Sequence, residues 1–125
     1  MNALALAKTM HNPKRRKSKY NAMRTIVGNV MFHSKGEANR WLDLKLMERA
    51  GEITDLRRQV PFKLLAWTPN GPEQIGIYRS DFQYRDMRTN QEVVEDFKGC
   101  VTAEFKRTQK IMKANYGIDV LVTKK

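Results

Sequence analysis

The chain has 125 residues, 41% of them hydrophobic, with a formal net charge of +11 and a pI near 10.0. That length and apolar content fit one modest core and exclude a wholly disordered chain. The charge makes a polyanion the expected partner, nucleic acid first and an anionic membrane second. One cysteine, Cys100, excludes an internal disulfide, and with only His11 and His33 beside it a structural zinc site is not expected. A reducing compartment follows, so the cytoplasm is the expected location.

Residues 1–22 read as a basic arm. The apolar run in MNALALAKTM is too short to span a membrane and lacks a basic start and a cleavage signature, and Asn12-Pro13 breaks any helix begun there. Lys14, Arg15, Arg16, Lys17 and Lys19 follow in close succession, and no acid occurs before Glu37. A basic arm on a mixed-charge domain is suited to gripping phosphates; a nuclear-localisation reading of the same run stays open.

The domain is expected over 23–125. RTIVGNVMF predicts two short strands around the turn-prone pair Gly28-Asn29. SKGEANRWLDLKLMERAG predicts a helix with Ser34 as cap, Glu37 in capping-box position and Gly51 as terminator. Its apolar stripe would comprise Ala38, Trp41, Leu42, Met47 and either Leu44 or Leu46. RRQVPFKLLAW is strand-like, with Pro61 marking an edge or a bulge, and TPNGPEQ reads as a loop. Trp67, beside that loop, is a packing residue or a wedge at a distorted nucleic-acid site, with packing preferred.

GIYRSDFQYRD and QEVVEDFKG predict an antiparallel hairpin turning at MRTN. A turn centred near Arg88 and Thr89 would set Asp81 opposite Asp96, with Cβ atoms about 4.5–5.5 Å apart. Two carboxylates so close repel unless a cation joins them, and Mg²⁺ suits oxygen ligands. Strand alternation turns Glu95 away from Asp96 and puts Lys98 on the Asp96 side. There its ammonium could orient water or stabilise phosphate charge. Taken singly, Asp96 and Lys98 could equally be a surface pair, and capping alone explains Glu37.

TAEFKRTQKIMKANYG predicts a second helix capped by Thr102 and stopped by Gly117, with Phe105, Ile111, Met112 and Tyr116 inward. Lys106, Lys110 and Lys113, with Arg107, would form a face for phosphates or simply a solvated one. IDVLVT ends the domain as a short strand. The order α-β-β-β-α-β gives an α/β fold, a small mixed sheet flanked by helices.

SDF at 80–82 followed by EDFKG at 95–99, with SKGEA on the first helix, resembles the motifs of the PD-(D/E)XK nuclease superfamily. The likeness covers residues 20–122 by motif order and is nearest to small phage proteins of that superfamily. Phage Holliday-junction-resolving endonucleases are more distantly similar. Ser80 stands where the name-giving proline would be. The resemblance implies a restriction-endonuclease-like core in a phage protein of the host cytoplasm. It also implies hydrolysis of DNA to a 5′-phosphate and a 3′-hydroxyl, with branched or recombination intermediates as substrates. By the same resemblance Asp81, Asp96 and the main-chain carbonyl of Phe97 would bind Mg²⁺ or Mn²⁺. Glu37 would hold a second metal or its water, and Lys98 would act on the attacking water. Cutting a four-way junction symmetrically implies a homodimer. Two other readings stay open: a non-catalytic nucleic-acid-binding protein on the same scaffold, and a basic RNA-associated protein.

Overall fold

The structure, a computed structural model, describes residues 24–124. The expected arm, including Lys14, Arg15, Arg16, Lys17 and Lys19, lies outside them. In chain order the elements are β1 (Thr25–Val27), β2 (Val30–Phe32), α1 (Lys35–Arg49), β3 (Ile53–Thr68), β4 (Gly71–Asp86), β5 (Gln91–Phe97), α2 (Ala103–Tyr116) and β6 (Leu121–Thr123). The chain divides into two compact units, one ending at Leu44 and one beginning at Lys45.

In the first unit β1 and β2 pair antiparallel around Gly28, whose φ of 61° is one that glycine adopts without penalty. Phe32, Ala38 and Leu44 are buried, and the Phe32 and Trp41 rings lie 6.1 Å apart. Ser34 caps α1 by accepting the Glu37 N–H at 3.1 Å. At the other end, the Glu52 N–H reaches back to the Met47 carbonyl at 2.9 Å past Gly51 at φ 80°, the wrap that a left-handed C-terminal residue permits. The helix stripe differs from expectation on one side. Leu44 is fully buried, while Leu42 and Leu46 are exposed.

The second unit is built on a four-stranded mixed sheet in the order β3-β4-β5-β6. β3, β4 and β5 are successively antiparallel, and β6 runs parallel to β5. A parallel neighbour cannot be reached by a tight turn, so α2 supplies the crossover. Thr102 caps α2 through the Phe105 N–H at 3.1 Å, and Gly117, in the left-handed region, ends it. Phe105 and Met112 of α2 pack with Leu64, Tyr78, Val94 and Val120 into the core of this unit. Burying side chains of this size contributes about 1.5–3 kcal/mol apiece.

The β3–β4 hairpin is longer than the sequence pattern implied. Gly71–Gln74, expected to be loop, already belong to β4. The reversal is confined to Thr68–Gly71, where the Thr68 hydroxyl donates to the Gly71 carbonyl at 2.6 Å and accepts the Asn70 N–H at 3.2 Å. Pro61 lies in β3, which is an edge strand, as a strand proline requires. Only residues from Phe82 onward on β4 pair with β5. Before that point β3 and β4 continue as a two-stranded ribbon. Asn115 of α2 ties the ribbon down: its side chain accepts the Leu65 N–H at 2.7 Å and donates to the Leu65 carbonyl at 3.1 Å. It thereby takes both main-chain groups of one edge residue, as a neighbouring strand would. Tyr116 adds a hydroxyl bond to the Lys63 carbonyl at 2.6 Å, although its ring, expected to face inward, is itself exposed.

Candidate functional site at the end of β5

β4 and β5 turn through Met87–Asn90. Asp86 holds that turn with its side chain on the Arg88 N–H and its carbonyl on the Asn90 N–H, both at 2.8 Å. Asn90 takes the left-handed conformation, φ 58°, that asparagine tolerates. The resulting register pairs Tyr84 with Val93, Gln83 with Val94 and Phe82 with Glu95. One step further along, the same register sets Asp81 opposite Asp96. The ladder itself ends at Phe82 and Glu95; beyond it, Asp81 is tied to the end of β5 through the Phe97 N–H.

Their surroundings explain how the charges are held. Asp96 is 2% exposed. Its Oδ2 accepts the Tyr78 hydroxyl at 2.7 Å and lies 3.6 Å from Lys98 Nζ. Asp81 Oδ2 accepts the Phe97 N–H at 2.9 Å. Hydrogen bonds and an ammonium therefore offset desolvation and part of the mutual repulsion. Lys98 in turn lies 4.6 Å over the ring of Phe105, whose electron-rich face favours a cation. The Lys98 N–H bonds to the Thr123 carbonyl at 3.0 Å, so β6 anchors the end of the site strand.

Burial pushes the Tyr78 hydroxyl far above its ordinary pKa of 10.0, with the charge of Asp96, its hydrogen bond and the charge of Asp81 adding to the effect. Tyr78 therefore remains a hydrogen-bond donor to the Asp96 carboxylate throughout the physiological range.

Glu95 was expected to turn away from Asp96 and to play no first part. It does point the other way, but it is fully buried, accepting the Tyr84 hydroxyl at 2.6 Å and facing the Thr123 hydroxyl at 3.5 Å. β5 thus buries two consecutive carboxylates on opposite faces, each met by a tyrosine. Neither tyrosine was identified from sequence. Tyr84 is two positions from Phe82, the residue paired with Glu95, so the register could have found it. Tyr78 lies outside the part of β4 that pairs with β5 and left no such signal.

Glu37 belongs to the first unit, where it is buried in the first turn of α1. On α2, Lys106, Arg107, Lys110 and Lys113 are all exposed. Lys113 is committed to an ion pair with Asp119 at 2.8 Å, so that position offers less to a phosphate than the spacing implied. Among the described residues no group of three or more histidine, cysteine, aspartate or glutamate side chains is arranged to hold a metal ion. The oxygen donors named by the resemblance are the Asp81 and Asp96 carboxylates and the Phe97 carbonyl, and Mg²⁺ commonly takes only one or two protein carboxylates, completing its shell with water and substrate phosphate. In type, though not as a three-residue cluster, these oxygen donors suit the ion.

No helix among the described residues is long and apolar enough to cross a membrane. Residues 17–123 match the family described as "Protein of unknown function (DUF1064)", and the chain belongs to that family. No curated protein and no solved structure matches it.

Proposed function

We propose that this protein is a metal-dependent DNA endonuclease with a restriction-endonuclease-like core, acting on branched or recombination intermediates. The observation that carries the reading is the end of β5, where Asp96 is buried with Lys98 Nζ 3.6 Å from its carboxylate and Asp81 accepts the N–H of the next residue, Phe97, at 2.9 Å. A protein that only binds a polyanion gains nothing from two acids set together on a strand end. The mixed sheet and the α2 crossover are compatible with the PD-(D/E)XK resemblance, and the net charge of +11 suits a nucleic-acid substrate.

In this reading Asp81, Asp96 and the Phe97 carbonyl hold Mg²⁺ or Mn²⁺, while Glu37 enters through the sequence resemblance alone. A divalent ion bound there supplies Lewis acidity to the scissile phosphate and lowers the pKa of water. Tyr78 fixes Asp96 by its hydroxyl. Lys98, held between Asp96 and the Phe105 ring, directs its ammonium toward an incoming water or phosphate oxygen. Lys106, Arg107 and Lys110 contact the backbone without reading sequence. Symmetric cutting of a four-way junction would require a homodimer.

The test is cleavage of end-labelled duplex, single-stranded and four-way-junction DNA with Mg²⁺, Mn²⁺ or EDTA. Metal-dependent cuts are expected from the wild type. In Asp81→Asn and Asp96→Asn they should fall by more than about a hundredfold, beyond what outer-shell partners of a metal typically cost. Tight DNA binding without cutting under any metal, equal in all three proteins, would leave a basic nucleic-acid-binding module instead.

A further inference from the structure

The ribbon formed by the outer parts of β3 and β4 ends in an unusual side chain. Trp67, expected to pack, is 84% exposed. It pairs with Pro72 across the ribbon, next to the Thr68–Gly71 reversal. Lys63, two pairs of side chains further in on the same side of β3, stands opposite Ile77, and Pro61 opposite Arg79. Directly opposed residues share a face of the ladder. The ladder shifts register between Leu64 and Leu65, with Ile75 the extra residue of β4, but alternation along β3 still puts Trp67 and Lys63 on one side, with Ile77 and Arg79 opposite Lys63 and Pro61. All four are exposed, while Phe62, Leu64 and Tyr78 of the other face are packed toward α2. Neither Lys63 nor Arg79 makes an ion pair among the described residues. Glu73, the acid on this stretch, is opposite Ala66 and so belongs to the other face.

An indole at the tip with apolar and cationic side chains behind it matches the chemistry of a nucleic acid whose bases are open. Aromatic rings stack on unpaired bases, apolar side chains enter between base steps, and lysine and arginine hold the flanking phosphates. A uniform apolar surface would fit a protein partner better, but the cations at Lys63 and Arg79 favour a polyanion. The ribbon also has a fixed relation to the candidate site. It leaves the sheet where β5 pairing stops, at Phe82, adjacent to Asp81. From there Pro72, the partner of Trp67, is at most about 36 Å along the strand. The anchors from Asn115 and Tyr116 reach as far as Leu65, so the tip is presented on a braced support.

We infer that the Trp67 tip of this ribbon is a base-stacking element that engages unpaired or unstacked bases of DNA, selecting branched substrates over plain duplex. For the identity of the nucleic acid this inference rests on the nuclease reading; the stacking itself does not require cleavage.

The experiment is fluorescence anisotropy with labelled duplex, forked and four-way-junction DNA in EDTA, so that binding is measured without any cut. Wild type, Trp67→Ala and Trp67→Phe are compared, with circular dichroism as the check on folding. Trp67→Ala should bind forked and junction DNA about tenfold more weakly, the magnitude of losing one stacked base, with little change on duplex. Trp67→Phe should recover most of the loss. Equal affinities of wild type and Trp67→Ala for the branched DNAs, or an equal loss on all three, would overturn the inference. So would a self-association of the wild type, seen by sedimentation, that Trp67→Ala abolishes while DNA binding is kept. Failure of the nuclease reading shows separately, as absence of cleavage in Mg²⁺ with the stacking preference intact.

Discussion

The two halves of β4 invert the usual relation between side-chain chemistry and burial. From Phe82 to Asp86 the strand is paired on both sides, and its neighbourhood buries Glu95 and Asp96. From Gly71 to Ser80 it has β3 alone, and that stretch shows Ile75, Ile77 and, across the turn, Trp67 to solvent. Where the sheet is widest, buried charge is stabilised by tyrosine hydroxyls, a main-chain N–H and an ammonium. Where it narrows, α2 can cover only one face and the other keeps its apolar residues in water. A carboxylate in the first half and an indole in the second each carry a cost to stability that folding alone does not explain. Both positions are therefore where interaction with another molecule is to be sought.

Stability measurements can break this contrast. Phe82→Ala, at a fully buried position, is expected to destabilise by about 3–5 kcal/mol in urea unfolding. Trp67→Ala, an equally drastic truncation, should change stability by about 0.5 kcal/mol or less. Comparable losses at both positions would mean that the ribbon tip is covered in solution.

A sharper comparison concerns Tyr78. Tyr78→Phe leaves Asp96 buried without its hydroxyl donor, which should cost about 1–3 kcal/mol near neutral pH. The pH dependence has a definite sign. Because the folded-state pKa of Tyr78 is raised above its ordinary 10.0, its contribution is complete below that value and is lost as pH rises beyond it, since the unfolded chain releases the proton first. Wild-type stability should therefore decline above pH 10 with a component missing from Tyr78→Phe. Parallel alkaline profiles in the two proteins would contradict the assigned environment. Asn115→Ala is expected to cost about 1–2 kcal/mol, from the two Leu65 main-chain bonds. Its diagnostic readout is faster hydrogen exchange at Leu65 with exchange at Val94 unchanged.

Much of the architecture was legible because local chemistry fixed it. Ser34, Thr102 and Gly117 punctuate the helices as their side chains or conformations dictate, and the turn before Gln91 fixes the β4–β5 register. Continued one step past its last pair, Phe82 with Glu95, that register leads to Asp81 and Asp96. Tyr78 meeting Asp96 depends on how the long ribbon approaches β5, which no spacing encodes. The side of α1 that would be covered was legible only in part, because Leu44 and Leu46 satisfy the stripe about equally well. The exposure of Trp67, against the expected packing, has a related cause. Alternation separates the two faces of a ribbon, but the decision as to which is covered belongs to α2, whose residues lie far along the chain.

The parallel pairing of β5 with β6 has a consequence for synthesis on the ribosome. β3, β4 and β5 can fold back on one another as they emerge, but the outer edge of β5 waits for α2 and then β6. At ordinary translation speeds that interval lasts about one to five seconds. Throughout it a strand bearing Val93 and Val94 presents open main-chain groups, the condition under which nascent chains pair with one another. The acids Glu92, Glu95 and Asp96 along the same strand act meanwhile as gatekeepers, keeping copies on neighbouring ribosomes apart until Leu121–Thr123 close the sheet.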